Sequence, residues 1–295
     1  MLTSNILKKF IYSSASKLIA SFGIIFFNFI IIDFTNQETL GMLMVTISLI
    51  TFLSVFSKLG LNHLVLRLMS IFYENNDKKK IKELIIYSFI ISGLISSLIA
   101  FLIIFFENQI ALQIYNNKEL IGILKIIAIS LPIFTFIQIQ KSLLRSFNLP
   151  EISNFSDIGS ILFVCCIITL FLNAIEIYLT SFRISLFFLF SCFFIFASNS
   201  IIIFYTLFLK IKKFKEHKFI DIKKKLIKTL PDYFAIDFVN YSLVWSSIFI
   251  CTFFYKPVII GNFSTTYWLA FSLLFFPLIL NSIYAPSYAI FSEKK

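Results

Sequence analysis

The apolar positions of this chain fall into long, nearly uninterrupted blocks. Crossing a bilayer takes about 20 mostly apolar residues, and eight segments qualify: 17–34, 40–59, 84–106, 120–139, 158–175, 184–209, 233–254 and 265–290. The breaks between them carry turn and solvation signals, such as Thr35-Asn36-Gln37-Glu38, Glu74-Asn75-Asn76-Asp77, Asn116-Asn117-Lys118-Glu119 and Asn148-Leu149-Pro150-Glu151. The pattern predicts an all-α polytopic membrane protein of about eight transmembrane helices. Lys8 and Lys9 give the first block the outline of a secretion signal, but Asp33-Phe34 stands where small cleavage-site residues belong. A retained helix is therefore expected. The second block runs on past Gly60 to about Phe72; as one helix it would exceed the hydrocarbon core and project its basic end into the cytosol. Pro132, Pro277 and Pro286 predict bends in helices four and eight, either static or hinge-like.

Composition agrees with this reading. Hydrophobic residues make up 59% of the chain, charged residues only 14%, and the mean hydropathy is +0.91; about a quarter of a soluble protein is charged. No polar stretch is long enough for a soluble domain, so function has to be carried out within or at a bilayer. The net charge of +11 could suggest nucleic acid, but the positive residues sit in short loops between apolar spans, and no nucleic-acid partner is expected. Of the 26 basic residues, 22 alternate onto one side, leaving only Lys118, Lys125, Arg183 and Lys256 on the other. The positive-inside rule then places both termini in the cytoplasm of a multi-pass inner- or plasma-membrane protein.

Sliding the sequence on itself by 220 residues lays 17–34 on 237–254 and 40–59 on 260–279 without gaps, with Leu40-Gly41 falling on Ile260-Gly261. Helices seven and eight are then expected to repeat helices one and two. The implied organisation is an N-terminal six-helix lobe over 1–209, a basic cytoplasmic linker over 210–230, and the first two helices of a second lobe over 231–295. The chain is expected to be either naturally short or truncated.

Enzymatic chemistry is not expected. Seven glycines leave no phosphate-binding loop. The outer loops 35–39, 107–119, 176–183 and 255–264 are all short. Histidine occurs only at His63 and His217, and Cys165, Cys166, Cys192 and Cys251 lie in apolar stretches without metal-ligand spacing. No cofactor or metal is expected, and the cysteines read as small hydrophobes. Polar residues inside spans are costly and tend to face a bundle interior or a wet cavity, which makes Lys17, Asn28, Lys58, Arg67, Lys125, Asp237, Asn240 and Asn281 the candidates. For the cations the competing reading is snorkelling to the headgroups. Lys58 and Arg67 would sit on roughly opposite faces of a straight helix, so lining one cavity together needs a bend at Gly60. Asp237, Asn240 and Tyr241 make one stripe at i, i+3 and i+4, suited equally to a helix–helix seam or a lumen. The segment 210–228 holds nine lysines among apolar residues and reads as an amphipathic helix on anionic membrane lipids, or as a contact for a phosphorylated substrate.

Several short stretches, in order, resemble the polysaccharide (O-antigen-type) flippases of the multidrug/oligosaccharidyl-lipid/polysaccharide exporter superfamily. Phe56-Ser57-Lys58-Leu59-Gly60-Leu61 with Arg67 is similar to the family's helix-two end, and Leu144-Arg145-Ser146-Phe147-Asn148 to its helix-four exit. Leu230-Pro231, Ile260-Gly261-Asn262-Phe263 and Leu280-Asn281-Ser282-Ile283 with Pro286 look like its second lobe. The resemblance implies two six-helix lobes rocking about a central cavity. The implied substrate is an oligosaccharide linked to undecaprenyl diphosphate, moved across the membrane for lipopolysaccharide O-antigen or other surface polysaccharide. Family members have twelve or more helices, against eight here. The alternatives are a drug/cation antiporter of the same superfamily, which needs a deep acidic residue where only Asp33 comes close, and a non-transporting fragment.

Overall fold

In the computed structural model, residues 2–75, 77–210 and 222–274 are described, and every regular element among them is helical. Helix α1 (Leu2–Phe34) turns into α2 (Gln37–Lys58) through two residues. The turn is closed by Asn36, whose side chain accepts from the Thr39 amide at 2.7 Å, an N-cap that satisfies one of the orphan donors of the new helix. The chain then leaves α2 through Leu59 and Gly60, both left-handed (φ 47° and 77°). This splits the long second block: Leu61–Glu74 forms a separate amphipathic α3 that buries Leu61, Leu64, Val65, Leu68 and Met69 against α4 and α6. A continuous, projecting helix is thus replaced by one folded back onto the bundle. Gly60 suits the break because a Cβ there would stand 2.4 Å from the Tyr233 carbonyl carbon.

Helix α4 (Lys78–Phe105) starts under Asp77 and leads to a short helix α5 (Glu107–Gln109) and a π-turn, Ile110–Ile114. The expected loop 107–119 is therefore partly helical. Helix α6 (Leu120–Ser146) runs nearly two turns beyond its expected end at 139, with Pro132 inside it. The short α7 (Pro150–Asn154), α8 (Ile158–Ala174) and α9 (Ser181–Lys210) follow. After residue 221 come α10 (Ile222–Val244), α11 (Ser246–Phe254) and α12 (Pro257–Phe271). The expected loop 255–264 shrinks to Tyr255 and Lys256, because Pro257 opens α12 at its first turn, where a missing N–H costs nothing.

Among the described residues, five helices are long and apolar enough to cross a membrane, within α1, α2, α4, α6 and α9, and α10 with α11 makes a sixth if the pair counts as one span. The expected span 158–175 is a 17-residue helix, at the short limit for crossing, and α12 is described only into its terminal turn at Leu274. Outward surfaces carry what a soluble protein buries. On α4, Leu94, Leu98, Phe101 and Phe105 form one exposed stripe, a surface that lipid and not water covers. The chain is a membrane-embedded helical protein.

The bend between α10 and α11 is 64° and involves no proline. The Tyr267 hydroxyl donates to the Val244 carbonyl at 2.6 Å, and the Ser246 hydroxyl donates to the Ser242 carbonyl; side chains that engage ladder carbonyls bend helices.

The 220-residue spacing recurs in the elements. Helix α1 ends at Phe34 and α11 at Phe254; α2 begins at Gln37 and α12 at Pro257. Helices α2 and α12 also pack on each other through equivalent residues. A Cβ on Gly41 would lie 1.7 Å from the Pro257 carbonyl oxygen, and one on Gly261 2.5 Å from that of Gln37. Such reciprocity, with i touching j′ and j touching i′, is the mark of a two-fold relation.

Candidate functional site

Most charges of this bundle gather at the end where α2 and α6 finish and α8 begins, called here the basic end. A cavity of about 300 Å³ enters the helices there, between α1, α2, α6, α8, α10 and α12. Among the described residues its charged lining consists of Lys17, Lys58, Lys141, Asp157 and Asp237, three cations against two anions and one net positive charge.

One wall is built around Asp157. This residue caps α8 with extended backbone (φ −74°, ψ 153°), and its carbonyl receives the first helical bonds from Ser160 and Ile161. Its side chain is free to reach Lys17 on α1 and Lys141 on α6, both of which donate to its two oxygens. Burial alone would raise the Asp157 carboxyl, but Lys141, Lys17 and nearby Arg145 outweigh it and hold the group well below the ordinary carboxylate range. Behind this wall, Asn154 on α7 donates to the Ser13 carbonyl at 3.0 Å and to its hydroxyl at 2.9 Å, fastening α7 to α1.

The facing wall is built around Asp237, which is 4% exposed. Its Oδ1 accepts from Asn62 Nδ2 and meets His63 Nε2, each at 2.9 Å. The Lys58 ammonium stands 3.5 Å from Oδ2, near enough for charge attraction but too long for a good hydrogen bond. This cluster ties α10 to the end of α2 and the start of α3. Sequence alone left Lys58 between cavity and headgroup; the left-handed break at Leu59-Gly60 brings Asn62 and His63 around so that the three converge on one carboxylate.

Deeper in, the lining turns aromatic. Tyr241, Trp245 and Trp268 contribute, and Thr51 and Ser54 present hydroxyls from α2. Trp245 and Trp268 meet edge to face with centroids 4.8 Å apart, and Tyr241 packs on Phe52 at 5.3 Å. Three buried polar atoms of this lining have no hydrogen-bond partner among the described residues: Asp237 Oδ2, the Tyr241 hydroxyl and Trp268 Nε1.

Of the residues singled out from sequence, Lys17, Lys58, Asp237 and Asn240 line this cavity. Asn28 does not. It is fully buried in a seam, donating to the Ile24 carbonyl at 2.7 Å and accepting from Ser264 at 3.2 Å and Thr265 at 3.4 Å. Arg67 lies outside the cavity on α3, where it donates to the Tyr233 hydroxyl at 3.2 Å. Lys125 lies toward the opposite end and pairs with Glu107 at 3.3 Å. Asn281 and most of the lysine-rich linker fall outside the described residues. Lys141, Asp157 and the two tryptophans were not singled out. The stripe of Asp237, Asn240 and Tyr241 serves both of its suggested roles, with Asp237 in the seam to α2 and α3 and all three on the cavity. Cys165, Cys166 and Cys192 are buried free thiols among apolar neighbours. Asp33, the acidic residue an antiporter would need, is exposed at the far end of α1.

Compared with protein-family models, curated proteins and solved structures, the chain matches none.

Proposed function

We propose that this chain translocates a polyprenyl-diphosphate-linked oligosaccharide across the inner or plasma membrane for surface polysaccharide or O-antigen assembly, with no covalent change to the substrate. The observation that carries the reading is the cavity, whose three lysines outnumber its two aspartates. Buried cations need a counter-charge, and here each is held by a carboxylate that an incoming diphosphate can replace or bridge. The prenyl tail would stay in lipid along the exposed apolar faces. In this reading 1–209 and the helices from 231 onward are two lobes joined by the basic linker, and both termini are cytoplasmic, as the loop charges favour. The cavity reaches in from the basic end, while the opposite end is closed where Gly41 and Gly261 bring α2 against α12. The conformation would then be the inward-facing one, and rocking would part that contact. The antiporter alternative is weaker, because both cavity carboxylates already hold lysines.

The test is expression in a bacterium lacking its own flippase, with surface polysaccharide as readout. Restored polysaccharide, lost again in Lys58→Ala and Lys141→Ala variants that still insert, is the expected result. Restoration that is unaffected by either substitution would remove the cavity from the account.

A further inference from the structure

The cavity is chemically two-sided, and only one side suits phosphate. Lys17 and Lys141 face in from α1 and α6, whereas the corner between α10 and α12 carries Asp237, Tyr241, Trp245 and Trp268. Asp237 already engages Lys58 there, so this corner adds no cation beyond that pair. The corner presents aromatic surface instead, and with it one N–H donor and one hydroxyl without partners among the described residues, beside a carboxylate oxygen that accepts no hydrogen bond and faces the Lys58 ammonium at 3.5 Å. The residues bearing these atoms are 4%, 7% and 4% exposed for Trp268, Tyr241 and Asp237. A buried polar atom left unpaired carries a desolvation penalty that a ligand with matching groups relieves. Lipid chains offer no such groups. A pyranose does: its C–H face packs on an aromatic ring, and its hydroxyls donate to a carboxylate and accept from an indole N–H.

We propose that Asp237, Tyr241, Trp245 and Trp268 form a carbohydrate subsite that takes the sugar ring next to the diphosphate of the transported lipid. This rests on the flippase reading and adds a recognition element to it. Trp268 Nε1 donates to a ring substituent, Asp237 Oδ2 accepts from a hydroxyl, and the two tryptophan rings supply the apolar wall. A cavity of about 300 Å³ stands at the small end of ligand sites, so it holds the diphosphate and the first ring while the rest of the glycan extends outward.

Trp245 and Trp268 are the only tryptophans of the chain, so the intrinsic emission of the full-length protein in detergent reads this corner without a label. The experiment titrates undecaprenyl diphosphate and undecaprenyl diphosphate bearing one N-acetylglucosamine, with tetraphenylphosphonium as an aromatic cation. Both lipids should bind, the sugar-bearing one about tenfold tighter, equivalent to about 1.4 kcal/mol, and it alone should shift the emission. Tyr241→Phe keeps the ring and Trp268→Phe keeps an aromatic ring in place of the indole, and both remove the polar atom; each should bring the two lipids to within about twofold of each other while leaving the plain diphosphate unaffected. Affinity for the Trp268→Phe form is read by tritiated lipid, and unchanged melting of both variants establishes folding. Equal affinity of the two lipids for the native chain, or a sugar increment that survives both substitutions, overturns the subsite alone. Quenching by tetraphenylphosphonium in competition with the sugar lipid makes the corner a cation site and overturns it as well. If neither lipid binds, the flippase reading falls together with the subsite.

Discussion

Replacing Asp237 by asparagine keeps the shape of the side chain and its contact with Asn62, but strips the charge that holds Lys58. The Lys58 side chain is 11% exposed and Asp237 4%, so the ammonium has little water to fall back on. Breaking a buried pair from one side leaves an uncompensated charge and costs about 3–5 kcal/mol. His63 Nε2 also loses a charged partner at 2.9 Å, which places the expected loss at the lower bound or above, about 3 kcal/mol. At roughly 2–4 °C per kcal/mol for larger chains, the melting temperature in detergent should drop by roughly 6–12 °C. Lys58→Met should cost less, because Asp237 keeps Asn62 and His63 as donors. The double variant Lys58→Met/Asp237→Asn removes both charges and should melt above Asp237→Asn alone, with a coupling of about 0.5–3 kcal/mol. A melting temperature for Asp237→Asn within 2 °C of the parent chain, or strictly additive losses in the double variant, would refute the buried-pair reasoning.

Three further outcomes are expected. Gly41→Val places branched carbon where a Cβ already stands 1.7 Å from the Pro257 carbonyl oxygen and should prevent monodisperse folding by size-exclusion chromatography, whereas Gly261→Ala, with 2.5 Å to Gln37, should fold but melt lower; tolerance of valine at 41 would deny the close α2–α12 contact. Because its lysine neighbours hold the Asp157 carboxyl down, its stabilisation is complete above the ordinary carboxylate pKa of about 3.9 and fades as pH falls below that. Unfolding measured from pH 6 to 2 should therefore show stability held down to about pH 4 and lost progressively below it in the native chain, with a flatter curve in Asp157→Asn, which is less stable at neutral pH; parallel curves would contradict this. Lys125 is 54% exposed in its pair with Glu107, so Lys125→Ala should change melting by less than about 1 kcal/mol equivalent and leave polysaccharide export intact.

The helical membrane architecture was legible because hydropathy reports the solvent directly: a bilayer tolerates no exposed backbone, so apolar length becomes helix. The short turns at Asn36 and Asn148 were legible for the same reason, and the 220-residue spacing needed only the sequence laid on itself. Lys58, Asp237 and Asn240 could be found because each is a polar residue in an apolar span. Lys141 and Asp157 could not, since both looked like loop charges beyond an expected helix end at 139, and the pairing of Asp157 with Lys17 spans 140 residues of sequence. Which way a helix is rotated is decided by its neighbours. That rotation put Asn28 in the α1–α12 seam, and the helical start of the 107–119 segment placed Glu107 beside Lys125. The tryptophans were invisible for a different reason: in a chain with 40 phenylalanines, an aromatic residue at a cavity looks like one in the core. The split at Leu59-Gly60 was half legible, since glycine announced a break and the leucine before it did not.

The central claim is that this bundle moves a lipid-linked sugar from one leaflet to the other. Its most direct test is the full chain reconstituted in liposomes that carry undecaprenyl diphosphate bearing a fluorescent disaccharide equally in both leaflets, with a membrane-impermeant reductant quenching whatever is exposed outside. The account predicts that the protein lets nearly all of the label reach the outer leaflet within minutes and that Lys141→Ala, correctly folded, slows this at least about tenfold, the 1.4 kcal/mol expected for one charge-assisted contact. Half of the label remaining protected, as in protein-free liposomes, would contradict it.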